Sequence, residues 1–167
     1  MKRVFVLAVV LASVVTAMAA NVEVKIPKEG WSIFFDSPPL SKKQESKKSG
    51  EYSFSANSGS FNLSLFVEKP RGDGTTNKDC YQYYWSRGSQ NPLIAKDTVS
   101  MSETDKYVRV QYDIVAPLAG KPMRLKNVNY YFIFRGRWVD VHISVGEPAA
   151  ADEMVFNTFD ESLKYGP

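Results

Sequence analysis

The chain has 167 residues, of which 44% are hydrophobic and 13% aromatic, enough for one domain around one core. Its formal net charge is +3, but two of the basic residues, Lys2 and Arg3, sit in an N-terminal stretch built like an export signal; without them 19 Lys+Arg face 18 Asp+Glu, so the charge gives no reason to expect nucleic acid or another polyanion as a general partner. A single His and a single Cys exclude a His-rich or thiolate metal centre and any internal disulfide.

Lys2 and Arg3 precede the apolar run Val4 to Val15, and Ala17-Met18-Ala19 forms an A-x-A site. These are the three parts of a secretory signal peptide over residues 1–19, with one α+β domain over residues 20–167. The apolar run is shorter than the roughly 20 residues a helical span requires, so no stable membrane span is expected after processing. The expected location is the periplasm or the secreted fraction.

Val22 to Ile26 alternates as a first strand, and Pro27-Lys28-Glu29-Gly30 is a turn. Trp31 to Phe35 is a second strand, ended by Asp36-Ser37-Pro38-Pro39. Ser41 to Gly50 has no large apolar residue and carries Lys42, Lys43, Lys47 and Lys48. It reads as a solvated loop, with a basic contact for an anionic partner as the alternative. Glu51 to Ala56 and Ser60 to Glu68 alternate again as two antiparallel strands. Arg71-Gly72-Asp73 matches an integrin-type tripeptide by letter and reads as a Gly- and Asp-rich turn. Thr76 and Asp79 have the spacing of a capping box for a helix running to about Arg87. That helix carries Cys80, a small buried hydrophobe by type, and the aromatic cluster Tyr81, Tyr83, Tyr84 and Trp85.

Leu93 to Met101 and Tyr107 to Val115 read as long strands, and Pro117 to Pro122 as a connector. Asn127 to Val145 is a β-hairpin turning at Arg135-Gly136. With a two-residue loop, Phe134 faces Arg137, Phe132 faces Val139, Tyr130 faces Val141 and Val128 faces Ile143, which makes one face apolar. The other face then holds Asn129 opposite His142, Tyr131 opposite Asp140 and Ile133 opposite Trp138. A one-residue slip would set Phe132 against Asp140. A final helix runs from Ala149 to Lys164, with Val155, Phe156, Phe159 and Leu163 as its buried stripe.

The order of these elements, the segments GWSIFF and GKPMRLKNVNYYFIF-RG-RWVDVHISV, a Gly-Glu-Pro loop and a helix ending FDESLK resemble the PsbP-like superfamily. The resemblance covers nearly the whole chain after the signal. It implies an α/β/α sandwich, an antiparallel sheet of about six to eight strands with helices on both faces. It also implies an accessory or binding role in place of catalysis.

The residues themselves hold no Gly-x-Ser-x-Gly, no phosphate loop and no dinucleotide fingerprint. The one chemical constellation is the polar hairpin face. Asp140 and His142, two apart on one strand, lie on the same side roughly 6.5–7 Å apart. Tyr131 and Trp138 neighbour them, and Trp85 could join from the helix. Two function classes follow. The first is a non-enzymatic accessory protein that binds another envelope protein, without metal or cofactor. The second is a small-molecule or glycan-binding module, or a weak acid–base enzyme, that uses Trp85, Tyr131, Trp138, Asp140 and His142. Sequencing the N-terminus of exported material is expected to return Ala20, and a chain still beginning at Met1 would contradict the signal.

Overall fold

The computed structural model describes residues 19–118 and 120–167. The signal read over residues 1–19 therefore lies outside the described residues but for Ala19. The described residues form two antiparallel sheets and two α-helices.

The first two strands, β1 (Ala20–Ile26) and β2 (Trp31–Ser37), pair across the Pro27–Gly30 turn. Then come β3 (Ser41–Lys48), β4 (Glu51–Ser58) and β5 (Phe61–Glu68) as a meander. Helix α1 (Asn77–Gly88) follows, then β6 (Ile94–Glu103), β7 (Val108–Leu118), β8 (Lys121–Phe134) and β9 (Arg137–Gly146). A 3-10 turn at Ala150–Asp152 leads into α2 (Glu153–Ser162) and a short last strand, β10 (Lys164–Gly166). The large sheet has the order β3-β4-β5-β9-β8-β7-β6, and the small one β1-β2-β10.

The hairpin of β8 and β9 has the expected register throughout, from Phe134 against Arg137 to Val128 against Ile143. Period-two alternation sends its side chains to two separate cores. Val128, Tyr130, Phe132, Val139, Val141 and Ile143 enter the main core, closed from the other side by the small sheet and by Phe156, Phe159 and Leu163 of the C-terminal segment. Tyr131 and Trp138 enter a second core, with Cys80 and Val110, beneath α1. The large sheet is thus covered on both faces, by α1 on one and by α2 with the small sheet on the other. This agrees with an α+β domain built on a seven-stranded antiparallel sheet.

Three expectations need correction. Ser41 to Gly50 is a strand and not a loop: every residue of β3 is exposed, so it shows no apolar period, and its ladder to β4 is what orders it. The lysines of this edge and its bulge between Ser41 and Gln44 hinder unselective pairing, above all with copies of the same Lys-rich strand. Pro117 and Pro122 are opposite one another at the end of the β7–β8 ladder, so that hairpin is longer than the expected connector allowed. The last helix stops at Ser162, and Lys164–Gly166 pairs with Ser32–Phe34 of β2. The cover on the second face is therefore a small sheet as well as a helix.

Helix α2 is held by a polar clamp that hydrophobic periodicity does not reveal. One carboxylate oxygen of Asp160 accepts from Arg109 Nε at 2.9 Å and from the Tyr130 hydroxyl, while the Tyr107 hydroxyl donates to the Asp160 carbonyl at 3.2 Å. Tyr130 is fully buried, and burial followed by the Asp160 charge raises its pKa and keeps the phenol protonated as a donor. At the other end of the helix, Lys126 Nζ reaches Glu153 at 2.6 and 2.7 Å and lies 4.9 Å from the Phe156 ring centroid.

Phe132 is wholly buried, with its ring stacked on Tyr165 of β10 at 4.2 Å. Phe132→Ala removes a large side chain from the junction of both sheets. It is expected to cost ~3–5 kcal/mol in urea unfolding, and an unchanged midpoint would contradict the placement.

Candidate functional site

The polar face of the β8–β9 hairpin can be built outward from α1. The N-terminus of α1 is a full capping box: Thr76 Oγ1 accepts from the Asp79 amide at 3.2 Å, and the Asp79 carboxylate accepts from the Thr75 and Thr76 amides at 3.0 and 2.9 Å. The Thr76 hydroxyl, which also donates to the carboxylate at 2.7 Å, and then those amides hold the Asp79 carboxyl below its usual range. Gly74 is required beside it, since a Cβ there would lie 2.3 Å from Asp79 Cβ. The helix start is tied to the sheet by Asn77, whose Oδ1 accepts from the Ile133 amide at 2.9 Å.

Anchored in this way, α1 lays its aromatic residues on the sheet. Tyr84 stacks on Tyr131 at 5.8 Å, Tyr81 lies 6.0 Å from the same ring, and Tyr83 meets Trp138 edge-on at 5.3 Å. Trp85 packs on Tyr112 at 5.1 Å. Cys80 is fully buried, with Sγ 3.6 Å from the Val139 carbonyl oxygen. Burial pushes its thiol up to about 12, so it is an inert packing residue at neutral pH. The Tyr84 hydroxyl and Trp138 Nε1 are buried with no hydrogen-bond partner among the described residues.

The groups expected to carry chemistry have separate neighbours. Asp140 Oδ1 accepts from Asn129 Nδ2 at 2.8 Å, and Asn129 Oδ1 accepts from the Tyr112 hydroxyl at 3.1 Å. His142 Nε2 lies 3.0 Å from Asn127 Oδ1, and Nδ1 lies 3.4 Å from Ser64 Oγ. Asn127 Nδ2 donates to the Leu125 carbonyl at 2.8 Å, which leaves Oδ1 as the acceptor facing the ring. The neutral imidazole therefore carries its proton on Nε2 and accepts a hydrogen bond from the Ser64 hydroxyl at Nδ1. Each Asn sits diagonal to its partner, since the residue directly opposite Asn129 is His142 and the one opposite Asn127 is Ser144. Trp85 is with Tyr112, Tyr131 lies under Tyr81 and Tyr84, and His142 is with Ser64 and Asn127, so the three do not share one set of contacts.

Electrostatics exchange the roles that ordinary pKa values would give the two groups. Both side chains are half-buried. Burial lowers His142 to about 4, so the residue expected to trade protons near neutrality is uncharged there. Burial, only partly opposed by the Asn129 hydrogen bond and reinforced by the Glu68 charge, raises Asp140 to about 7. Asp140 has no cation partner among the described ion pairs. The carboxyl, not the imidazole, is the group that titrates near physiological pH.

A second feature was not singled out from the sequence. β1 is an edge of the small sheet, β3 is an edge of the large one, and the two sheets leave a cleft between them of about 380 Å³. Ile26, Tyr52 and Val67 line it, with Lys28 on one rim, Lys47 and Lys48 on the other, and Arg137 at the end. It continues along β1 past Val24, Lys25 and Phe54. The lysines of β3 were visible in the sequence; that they face β1 depends on how the two sheets pack. Arg71 of the Arg-Gly-Asp tripeptide is held by Glu68 and Glu51, which fits the turn reading.

The fold and these two surfaces define an α+β, two-sheet domain with one helix-covered polar face and one open edge cleft. The chain matches no established family model and no curated protein. Among solved structures it is similar to LpqN, described as involved in cell envelope biogenesis of Mycobacterium tuberculosis, with 13% identity, a TM-score of 0.51 and coverage of 89% of this chain and 92% of that one. A crystal structure from Bacteroides thetaiotaomicron aligns over 82% of this chain at 12% identity and a TM-score of 0.46, and the chain spans 45% of that protein's length. The likeness to LpqN is one of fold over nearly the whole of both chains.

Opposite pH slopes test the Asp140 and His142 assignments. For His142, with its pKa lowered from 6.5 to about 4, the unfolded chain holds more protons between those values, so stability rises with pH across that window. For Asp140, raised from 3.8 to about 7, the folded chain holds more protons, so stability falls as pH rises across its window. The two contributions oppose each other in the wild type. His142→Gln is expected to leave a stability that falls by ~2 kcal/mol from about pH 4 to 6.5, and Asp140→Asn one that rises by ~2 kcal/mol. Urea midpoints across that range that slope the other way would reject the assignment.

Proposed function

We propose that the protein is an exported accessory protein of the cell envelope that acts by binding another protein and is not an enzyme. The observation that carries this reading is the open cleft between the free edges of β1 and β3, a concave surface with an apolar floor and a charged rim. Surfaces of that kind accept extended segments of partners by strand addition and side-chain contact. Support also comes from the whole-chain likeness of fold to LpqN, a protein involved in cell envelope biogenesis, and from the three-part signal of residues 1–19. The resemblance of the sequence to the PsbP-like superfamily implies the same class of role. No helix among the described residues is long and apolar enough to cross a membrane, in keeping with a partner-binding role outside the bilayer.

A second reading rests on Asp140. A half-buried carboxyl raised to about 7, beside Tyr112, Asn129 and His142, is a proton-exchanging group on the face that a small ligand or a weak acid–base reaction would use. It is the weaker reading, because Asn129 and Asn127 already engage Asp140 and His142, and no activated nucleophile stands beside them.

Site-specific photocrosslinking in the native host tests the first reading. Benzoylphenylalanine placed at Lys25, beside the cleft, is expected to give a discrete crosslinked protein. The same group at Met154, exposed on α2, is expected to give none. Equal yields at the two positions, or none at either, would overturn the cleft as the surface that binds an envelope partner.

A further inference from the structure

We infer that the β1–β3 cleft is a docking site for an extended, acidic segment of the partner protein, a strand with Glu or Asp at alternate positions laid between the two free sheet edges. The assignment rests on the protein-binding reading and adds the chemistry of what is bound.

Backbone pairing comes first. Among the described residues β1 pairs only with β2, and β3 only with β4. Each strand therefore presents outward amides and carbonyls on its free side, and these are the groups a bound strand would satisfy. Side-chain alternation in β1 puts Val22, Val24 and Ile26 toward the core and Asn21, Glu23 and Lys25 outward. β1 is seven residues long and regular from Ala20 to Ile26, a match for a partner strand of seven or eight residues.

Charge then selects the occupant. Three of the acids that line the cleft have cation partners. Glu29 is bound by Arg137, Glu51 by Arg71, and Glu45 lies 4.0 Å from Lys47. The fourth, Glu23, accepts from Ser32 Oγ at 2.8 Å and, like Lys25, points outward from β1. Lys25, Lys28 and Lys48 have no acidic partner within ion-pair distance among the described residues. The lining is therefore left with unneutralised ammonium groups from both walls, Lys28 just past the end of β1 and Lys48 at the end of β3. Lysines that only protect an edge from aggregation need lie on that edge alone. Here two different sheets deliver them to one groove, where a carboxylate between the walls would meet two at once. A near-neutral chain can hold a local positive field of this sort, and its reach is set by the Debye length of roughly 8 Å at physiological salt.

The test uses the full chain expressed from its own start and a fluorescein-labelled octapeptide that alternates Glu with Thr. Anisotropy is expected to show saturable binding that weakens with added salt, with amide shift changes confined to β1, β3 and the turns at their ends. Lys28→Gln with Lys48→Gln is expected to weaken binding at least tenfold while leaving the thermal midpoint unchanged. A peptide N-methylated at alternate amides is expected to lose binding even though its charge is the same. Equal binding of a Gln–Thr peptide, unchanged affinity in the double variant, or equal binding of the N-methylated peptide would each overturn the proposal. Displacement of the peptide by vesicles of phosphatidylcholine with phosphatidylglycerol would overturn it in favour of a lipid surface. A crosslink at Lys25 that persists in the double variant would reject the acidic segment and leave protein binding standing. Peptide binding in the absence of any crosslinked partner would confirm the cleft's chemistry and reject only the envelope partner.

Discussion

The pairing of β8 with β9 is the constraint on which the rest of the molecule depends. Its ten opposed residue pairs, from Leu125–Gly146 to Phe134–Arg137, commit alternate side chains to two different cores. Phe132, Tyr130 and Val141 require a cover on one face, and Tyr131 with Trp138 requires one on the other. Both covers are recruited by specific hydrogen bonds as well as by apolar contact. Asp160 receives Arg109 and Tyr130 beneath α2, while Asn77 receives the Ile133 amide beneath α1. A shift of one residue would exchange the two faces and leave every one of these partners facing the wrong layer.

Most of this was legible because alternation is a strong signal where one face is dry. β1, β2, β4, β5, β7 and the hairpin were all readable from period two, and Thr76 with Asp79 marked the start of α1. What escaped was ordered by partners and not by pattern. β3 has no buried residue, so nothing in its own letters distinguishes a lysine-rich edge strand from a lysine-rich loop. β10 is three residues long and exists because Ser32, Ile33 and Phe34 offer it a ladder. The clamp at Asp160 joins residues 30 and 51 positions apart, a separation over which sequence spacing carries no information.

The candidate site divides in the same way. The neighbours of Asp140 and His142 on the sheet followed from register alone, and the residues opposite them are the expected ones. Their protonation did not follow. By ordinary pKa values His142 would titrate nearest neutrality, whereas burial moves it down to about 4 and Asp140 up to about 7, so the exchangeable proton belongs to Asp140. Burial of a single side chain is a property of the packed structure, and unperturbed pKa values do not anticipate it. The cleft between β1 and β3 was invisible for a related reason: its two walls come from different sheets, and only their packing makes them face each other.

The small sheet has a temporal consequence. β2, near the start of the chain, is completed by β10, more than a hundred residues later. Phe132 cannot stack on Tyr165, nor Phe35 on Phe159, until that late segment has arrived. Contacts of such long sequence separation must wait for the closure of a very large loop, which makes folding slow and late. Until then β2 has β1 on one side and no neighbour on the other. A polypeptide that stays open until its last strand is in place remains threadable for longest, and it meets its folded state only where the whole chain has come together.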